Sequence, residues 1–170
     1  MISVIALLLQ SAAAPASVPP WTVRAHPNAD PTITSTMAGT ASVDGNASLL
    51  FRCDASKVKV VSVQFFSRTP LGGPPNRQIS VSVDNGAPVL ANWEFVEKGA
   101  FVRDDVTVTT LTTAIAIGKS IKLHTTTATG DPIDATFSGP PSVGPVTGVL
   151  SACGYTLGTV PVRPKEKKGK

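Results

Sequence analysis

Residues Ala47 to Phe66 read ASLLFRCDASKVKVVSVQFF. Two strand-like runs flank a short polar turn here, and the first carries one of only two cysteines in the chain. In an extended chain successive side chains point to opposite faces, so Leu49, Phe51 and Cys53 share one side and Ser48, Leu50 and Arg52 the other. Cys53 is thereby aimed at a core. Asp54 to Lys57 reads as the turn. In the second run Val58 and Val60 alternate with Lys57 and Lys59, and then the phase slips so that Val61, Val63 and Phe65 are the apolar positions. That one-residue slip predicts a β-bulge near Val60 and Val61.

The same alternation recurs downstream. Ser67 to Asn76 is a proline-broken loop, and Arg77 to Val83 places Ile79, Val81 and Val83 on one face. Asp84-Asn85-Gly86 is the strongest turn signal in the chain, because Asn-Gly tolerates the positive φ of a tight hairpin turn. Trp93 and Phe95 alternate as core residues, and Glu97-Lys98-Gly99 turns the chain into Ala100 to Arg103 as another hairpin. Ile121 and Leu123 alternate with Lys122 and His124. Gly130-Asp131-Pro132 turns, and Ile133, Ala135 and Phe137 make a last strand.

Two segments have a helical period. From Val146 the apolar residues fall at Val146, Val149, Leu150 and Cys153, one face of a short helix with Pro145 in its first turn and Gly154 past its end. Asp104 to Gly118 is ambiguous: Val108, Leu111 and Ile115 fit a helix face, with Asp104 or Asp105 as cap and Gly118 as stop, while the β-branched content argues for strand. Upstream, Trp21 to Arg24 reads as an edge strand and His26 to Gly45, rich in Pro, Asn, Asp, Thr and Gly, as loop.

Composition agrees with these patterns. With 170 residues, 42% of them hydrophobic and 15% charged, the chain is long and apolar enough for one domain with its own core. Fourteen Gly and fifteen Pro, with abundant Val and Thr, tilt the class to β. The expected fold is mainly β, a single-domain sandwich or barrel-like antiparallel sheet with one or two short helices.

The amino terminus reads as an export signal. Ile2 to Leu9 is an unbroken apolar run, and Ala14-Pro15-Ala16 is an A-x-A cleavage pattern, which makes 1–16 a signal peptide and starts the mature chain at Ser17. The competing reading is a short buried helix or strand. The run is shorter than the roughly 20 residues that span a bilayer, so no transmembrane segment is expected. Residues 17–46 then form a segment that is mostly loop, 47–160 the β-rich domain and 161–170 a disordered basic tail. In an oxidising compartment two cysteines with none left over most simply form one disulfide, Cys53 to Cys153.

The net charge of +4 equals that of the tail, where Arg163, Lys165, Lys167, Lys168 and Lys170 oppose Glu166. The body is therefore neutral. The tail suits loose electrostatic contact with an anionic surface, or simply a solvated end. Nucleic-acid binding would require a basic face with aromatics on the body, and none is legible. His26 and His124 have no Cys or carboxylate at metal-ligand spacing. Asp104 and Asp105 are adjacent and read as cap or turn residues rather than an acid/base pair. No phosphate loop, G-x-S-x-G or H-E-x-x-H occurs. No catalytic residue, metal or cofactor is assigned.

One resemblance covers Ala47 to Tyr155. The Cys-bearing strand Leu50-Phe51-Arg52-Cys53, the segment Val83 to Trp93 (V-D-N-G-x-P-V-x-x-x-W), Phe137-Ser138-Gly139 and the closing Val149 to Tyr155 (V-L-S-A-C-G-Y) resemble small periplasmic proteins of the VasI/TagO type, associated with type VI secretion. The resemblance implies a non-enzymatic periplasmic or secreted protein of the cell envelope with a Cys53 to Cys153 bridge, acting as a binding or accessory module for an envelope protein partner. Two alternatives stand beside it: a secreted structural or adhesive domain that uses its tail, and an envelope-polymer hydrolase built around His124 or the Asp104 region.

Overall fold

A computed structural model describes residues 20–162; the expected signal peptide and the five basic tail residues lie outside the described residues. The elements are β1 (Arg24–His26), β2 (Thr34–Ala41), β3 (Ala47–Ala55), β4 (Lys59–Ser67), β5 (Arg77–Val83), β6 (Val89–Val96), β7 (Gly99–Val102), α1 (Asp105–Ile117), β8 (Ser120–Thr126), β9 (Pro132–Ser138) and α2 (Gly144–Ala152). All pairings are antiparallel, in the order β1-β2-β3-β4-β7-β6-β5-β8-β9.

β3 and β4 form the centre expected of them. Leu49, Phe51 and Cys53 lie directly across from Phe65, Val63 and Val61, and all six are fully buried. Their register runs without interruption from Ala55 opposite Lys59 to Ala47 opposite Ser67, so the expected bulge is absent. The phase slip has a simpler origin. Val58 sits in the turn, 61% exposed, and Val60 lies on the outer face opposite Asp54.

The larger correction is upstream. Residues 34–41, expected as loop, form an internal strand hydrogen-bonded to β3 along its whole length, and His26 belongs to β1. The stretch TSTMAGTA has almost no apolar alternation. What it has is small residues: a Cβ on Gly39 would come within 2.4 Å of the Leu49 carbonyl oxygen, and Ala38 is buried against Phe51 across the pair. Trp21, expected in an edge strand, instead turns inward with a positive φ of 60° and packs 5.6 Å from Phe51.

β6 links the two halves of the sheet. Its first part, Val89 to Trp93, pairs with β5 and its last part, Glu94 to Val96, with β7. The sheet curls, bringing Phe65 of β4 edge-on to Phe137 of β9 at 6.4 Å. An isolated bridge between Ser42 and Phe137, and a 2.8 Å bond from the Val43 N–H to the Thr136 carbonyl, bring the two ends together without closing a full strand pair. The result is an open, barrel-like sheet.

Both helices pack into the same core. α1 is helical despite its β-branched residues: Thr110, Thr112 and Thr113 turn their hydroxyls back to the carbonyls of Val106, Val108 and Thr109 at 2.7–2.9 Å, which satisfies them within the helix. Asp104 caps it, accepting from the Thr107 N–H at 2.8 Å. Gly118 ends it where a Cβ would lie 2.2 Å from Val83 Cγ1. Val108, Leu111 and Ile115 are buried, as are Val146, Val149 and Leu150 of α2. α2 runs into Cys153, which bonds to Cys53 with the Cα atoms 5.7 Å apart. Among the described residues no helix is long and apolar enough to cross a membrane.

Candidate functional site

The alternation that buries Ile79, Val81, Ile121, Leu123 and Ala135 points their neighbours outward. Across the outer face of β6-β5-β8-β9 the register aligns Leu90, Ser80, His124 and Asp134 in one row. Asn92 with Gln78, and Ser82 with Lys122 and Thr136, form the rows on either side. Strands lie about 4.8 Å apart, so the four-residue central row spans roughly 14 Å. Among the described residues no element packs over this face: the buried residues of α1 and α2 join Ile79, Val81, Ile121 and Leu123 in the core on the other side.

Two shallow depressions meet here and share Ser80 and His124. One, of about 330 Å³, is lined by Ser82, Lys122, Asp134 and Thr136 in addition to the shared pair. The other, of about 490 Å³, adds Gln78, Leu90, Asn92 and Thr126. His124 therefore stands between them.

The charged groups on this face have partners. His124 Nδ1 lies 2.8 Å from Asp134 Oδ1, and Lys122 Nζ donates to Asn85 Oδ1 at 2.9 Å. Arg77, opposite Trp93, turns to the inner side, donates to the Leu71 carbonyl at 2.8 Å and lies over the Phe95 ring at 3.8 Å. By contrast the side chains of Gln78, Ser80, Ser82, Asn92, Thr126 and Thr136 make no hydrogen bond among the described residues. The polar side chains without a protein partner on this face are thus all neutral.

Other residues singled out in the sequence have structural roles. Asp104 caps α1, and Asp105 accepts from the Tyr155 hydroxyl at 2.8 Å, tying the segment after α2 to the start of α1. His26 is exposed on the short edge strand. Cys53 and Cys153 form the disulfide and leave no free thiol among the described residues. Nor does any group of three His, Cys, Asp or Glu able to hold a metal ion occur among them.

The His124–Asp134 pair corrects the reading of His124 as lacking a carboxylate. The two are ten positions apart, and linear spacing suited to a helix or a metal motif does not reveal them. Counting outward from the turn at Gly130 would have placed them opposite each other. Ser80, contributed by a strand more than forty residues earlier, carried no such signal.

No family model matches the chain, and neither a curated protein nor a solved structure does.

Proposed function

We propose that the protein is a non-enzymatic binding or accessory module of the cell envelope, exported to the periplasm or secreted, with the outer face of β6-β5-β8-β9 as its recognition surface. The observation that carries this is the division of labour on that face: charged groups each held by a polar partner, neutral donors and acceptors unpaired over two adjoining depressions. Export is supported by the apolar leader with its A-x-A pattern and by the buried disulfide, a bond that persists in oxidising compartments. The likeness to VasI/TagO-type proteins fits the same role.

In-cell crosslinking and pull-down tests this reading, comparing chains that end at Lys170 and at Pro161. Capture of the same envelope component by both places recognition on the folded domain. Capture that needs the tail transfers the function to the basic end and favours the adhesive alternative. Capture by neither removes the accessory role.

A second reading rests on the row Ser80, His124 and Asp134, which has the residue types of an acyl-transfer site. His124 is held by Asp134, but no hydrogen bond joins Ser80 to His124. Labelling of the protein by a fluorophosphonate, lost in Ser80→Ala, would establish this hydrolase reading; absence of labelling removes it.

A further inference from the structure

We propose that the outer face of β6-β5-β8-β9 binds an uncharged, hydroxyl-rich ligand, a segment of neutral glycan lying across the strands. The inference rests on the binding-module reading above and names the ligand's chemistry.

The charge balance of the face comes first. Its ionisable side chains are Lys122, His124 and Asp134, each with a polar partner on the protein, and Arg77, which also lines the larger depression, donates to the Leu71 and Gly73 carbonyls. An anionic ligand would reach the Lys122 ammonium, whose partner Asn85 is neutral, but would also meet the Asp134 carboxylate on the neighbouring strand. A cation would find that carboxylate engaged by His124. Neither sign of charge is selected.

The unpaired groups point the same way. Gln78 and Asn92 lie directly opposite each other on β5 and β6, and each amide offers two N–H donors and a carbonyl acceptor. Ser80, Ser82 and Thr136 add hydroxyls that both donate and accept. A dense set of neutral groups of both kinds matches sugar hydroxyls, which also do both. A peptide backbone is a poorer match for the face itself, since peptides pair with strand edges and would use the outer edge of β9 rather than these side chains. Leu90, 60% exposed at the end of the central row, supplies apolar surface for the C–H side of a ring.

Shape completes the case. The depressions adjoin at His124 rather than forming one closed pocket, so the face suits an extended chain that lays successive units on either side of the imidazole. A row of roughly 14 Å accommodates a short oligosaccharide.

The test is titration of the isotopically labelled mature chain, followed by amide chemical shifts, with three uncharged probes: maltotetraose, cellotetraose and the tetramer of N-acetylglucosamine. Dextran sulfate serves as the anionic probe. At least one uncharged probe is expected to shift amides of Gln78, Ser80, Asn92 and His124. Gln78→Ala with Asn92→Ala should then weaken that probe about tenfold or more, as two hydrogen-bonding side chains are lost. Both positions are exposed, and an unchanged spectrum elsewhere checks that the variant is folded.

Shifts on this face with dextran sulfate and none with the uncharged probes would overturn the inference. So would silence of all three uncharged probes. If crosslinking still captures an envelope component while the probes are silent, the glycan inference fails and the binding-module reading stands; if both are silent, both fail.

Discussion

The Trp21 indole N–H donates to the carbonyl of Ser138 at 2.9 Å, joining positions 117 residues apart. Trp21 also donates its backbone N–H to the Gly39 carbonyl at 2.6 Å, so one residue holds β2 and the end of β9 together. The other large indole, Trp93, is equally buried, but its Nε1 has no acceptor among the described residues.

That contrast makes a paired prediction. Trp21→Phe and Trp93→Phe remove similar volume, but only the first removes a made hydrogen bond and strands the Ser138 carbonyl. Trp21→Phe is expected to destabilise the fold by about 1–2 kcal/mol more than Trp93→Phe. Urea unfolding of both variants measures the difference, and equal losses would refute the assigned role of the indole N–H.

The disulfide closes a separation of 100 residues and fastens α2 to the central strand. Replacing both cysteines by Ala should lower stability by about 2–5 kcal/mol. Hydrogen exchange in the variant should rise first in α2. A loss spread evenly over the sheet would mean that the bond does not anchor the helix in particular.

Asp84 lies in a turn whose two central residues, Asp84 and Asn85, have φ of 50° and 60°, with Gly86 N–H bonded to the Val83 carbonyl at 2.8 Å. Its carboxylate accepts from the backbone N–H groups of Lys119 and Ser120 at 2.9 and 2.8 Å, clamping the turn to the start of β8. Asp84→Ala should cost about 1–3 kcal/mol through the lost acceptor and add strain at a φ that alanine disfavours. Asp84→Asn, which keeps one oxygen and tolerates that φ, should lose less. Faster exchange of the Lys119 and Ser120 amides in Asp84→Ala is the direct readout.

Three loop carboxylates predict the acid limb of stability. The Thr32 hydroxyl and N–H hold Asp30 below its ordinary value of 3.8, the Ser42 hydroxyl and Asn46 do so for Asp44, and the Thr129 and Thr127 hydroxyls for Asp131. A folded-state value below the unfolded one adds stability that is complete above the unfolded value and is lost as pH falls through the folded value. The melting temperature should therefore stay level down to about pH 4 and fall below it. Asp44→Asn with Asp131→Asn should make that acid fall shallower; an unchanged fall would assign it to other groups.

Much of the fold was legible because burial imposes a period. Leu49, Phe51 and Cys53, then Ile79 and Val81, then Ile121 and Leu123 each mark a strand with one face in the core, and Val146, Val149 and Leu150 mark a helix. β2 was not legible, since its small residues serve close approach to β3 rather than burial of large side chains. The bulge expected at Val60 failed for a related reason: a valine in a turn and another on an outer face imitate a shift of phase.

What the amino-acid sequence determined by itself was therefore local: the β class, the turns, the helix at α2 and the inward aim of Cys53, all set by interactions within a few residues. The candidate site belongs to tertiary structure alone. Gln78, Ser80, Asn92, His124 and Asp134 come from four strands, and only the hydrogen-bond register of β6-β5-β8-β9 brings them onto one face. The order of those strands departs from their order in the chain because β7, α1 and the returning β8 must all share one core, a condition on the whole domain that no single segment carries.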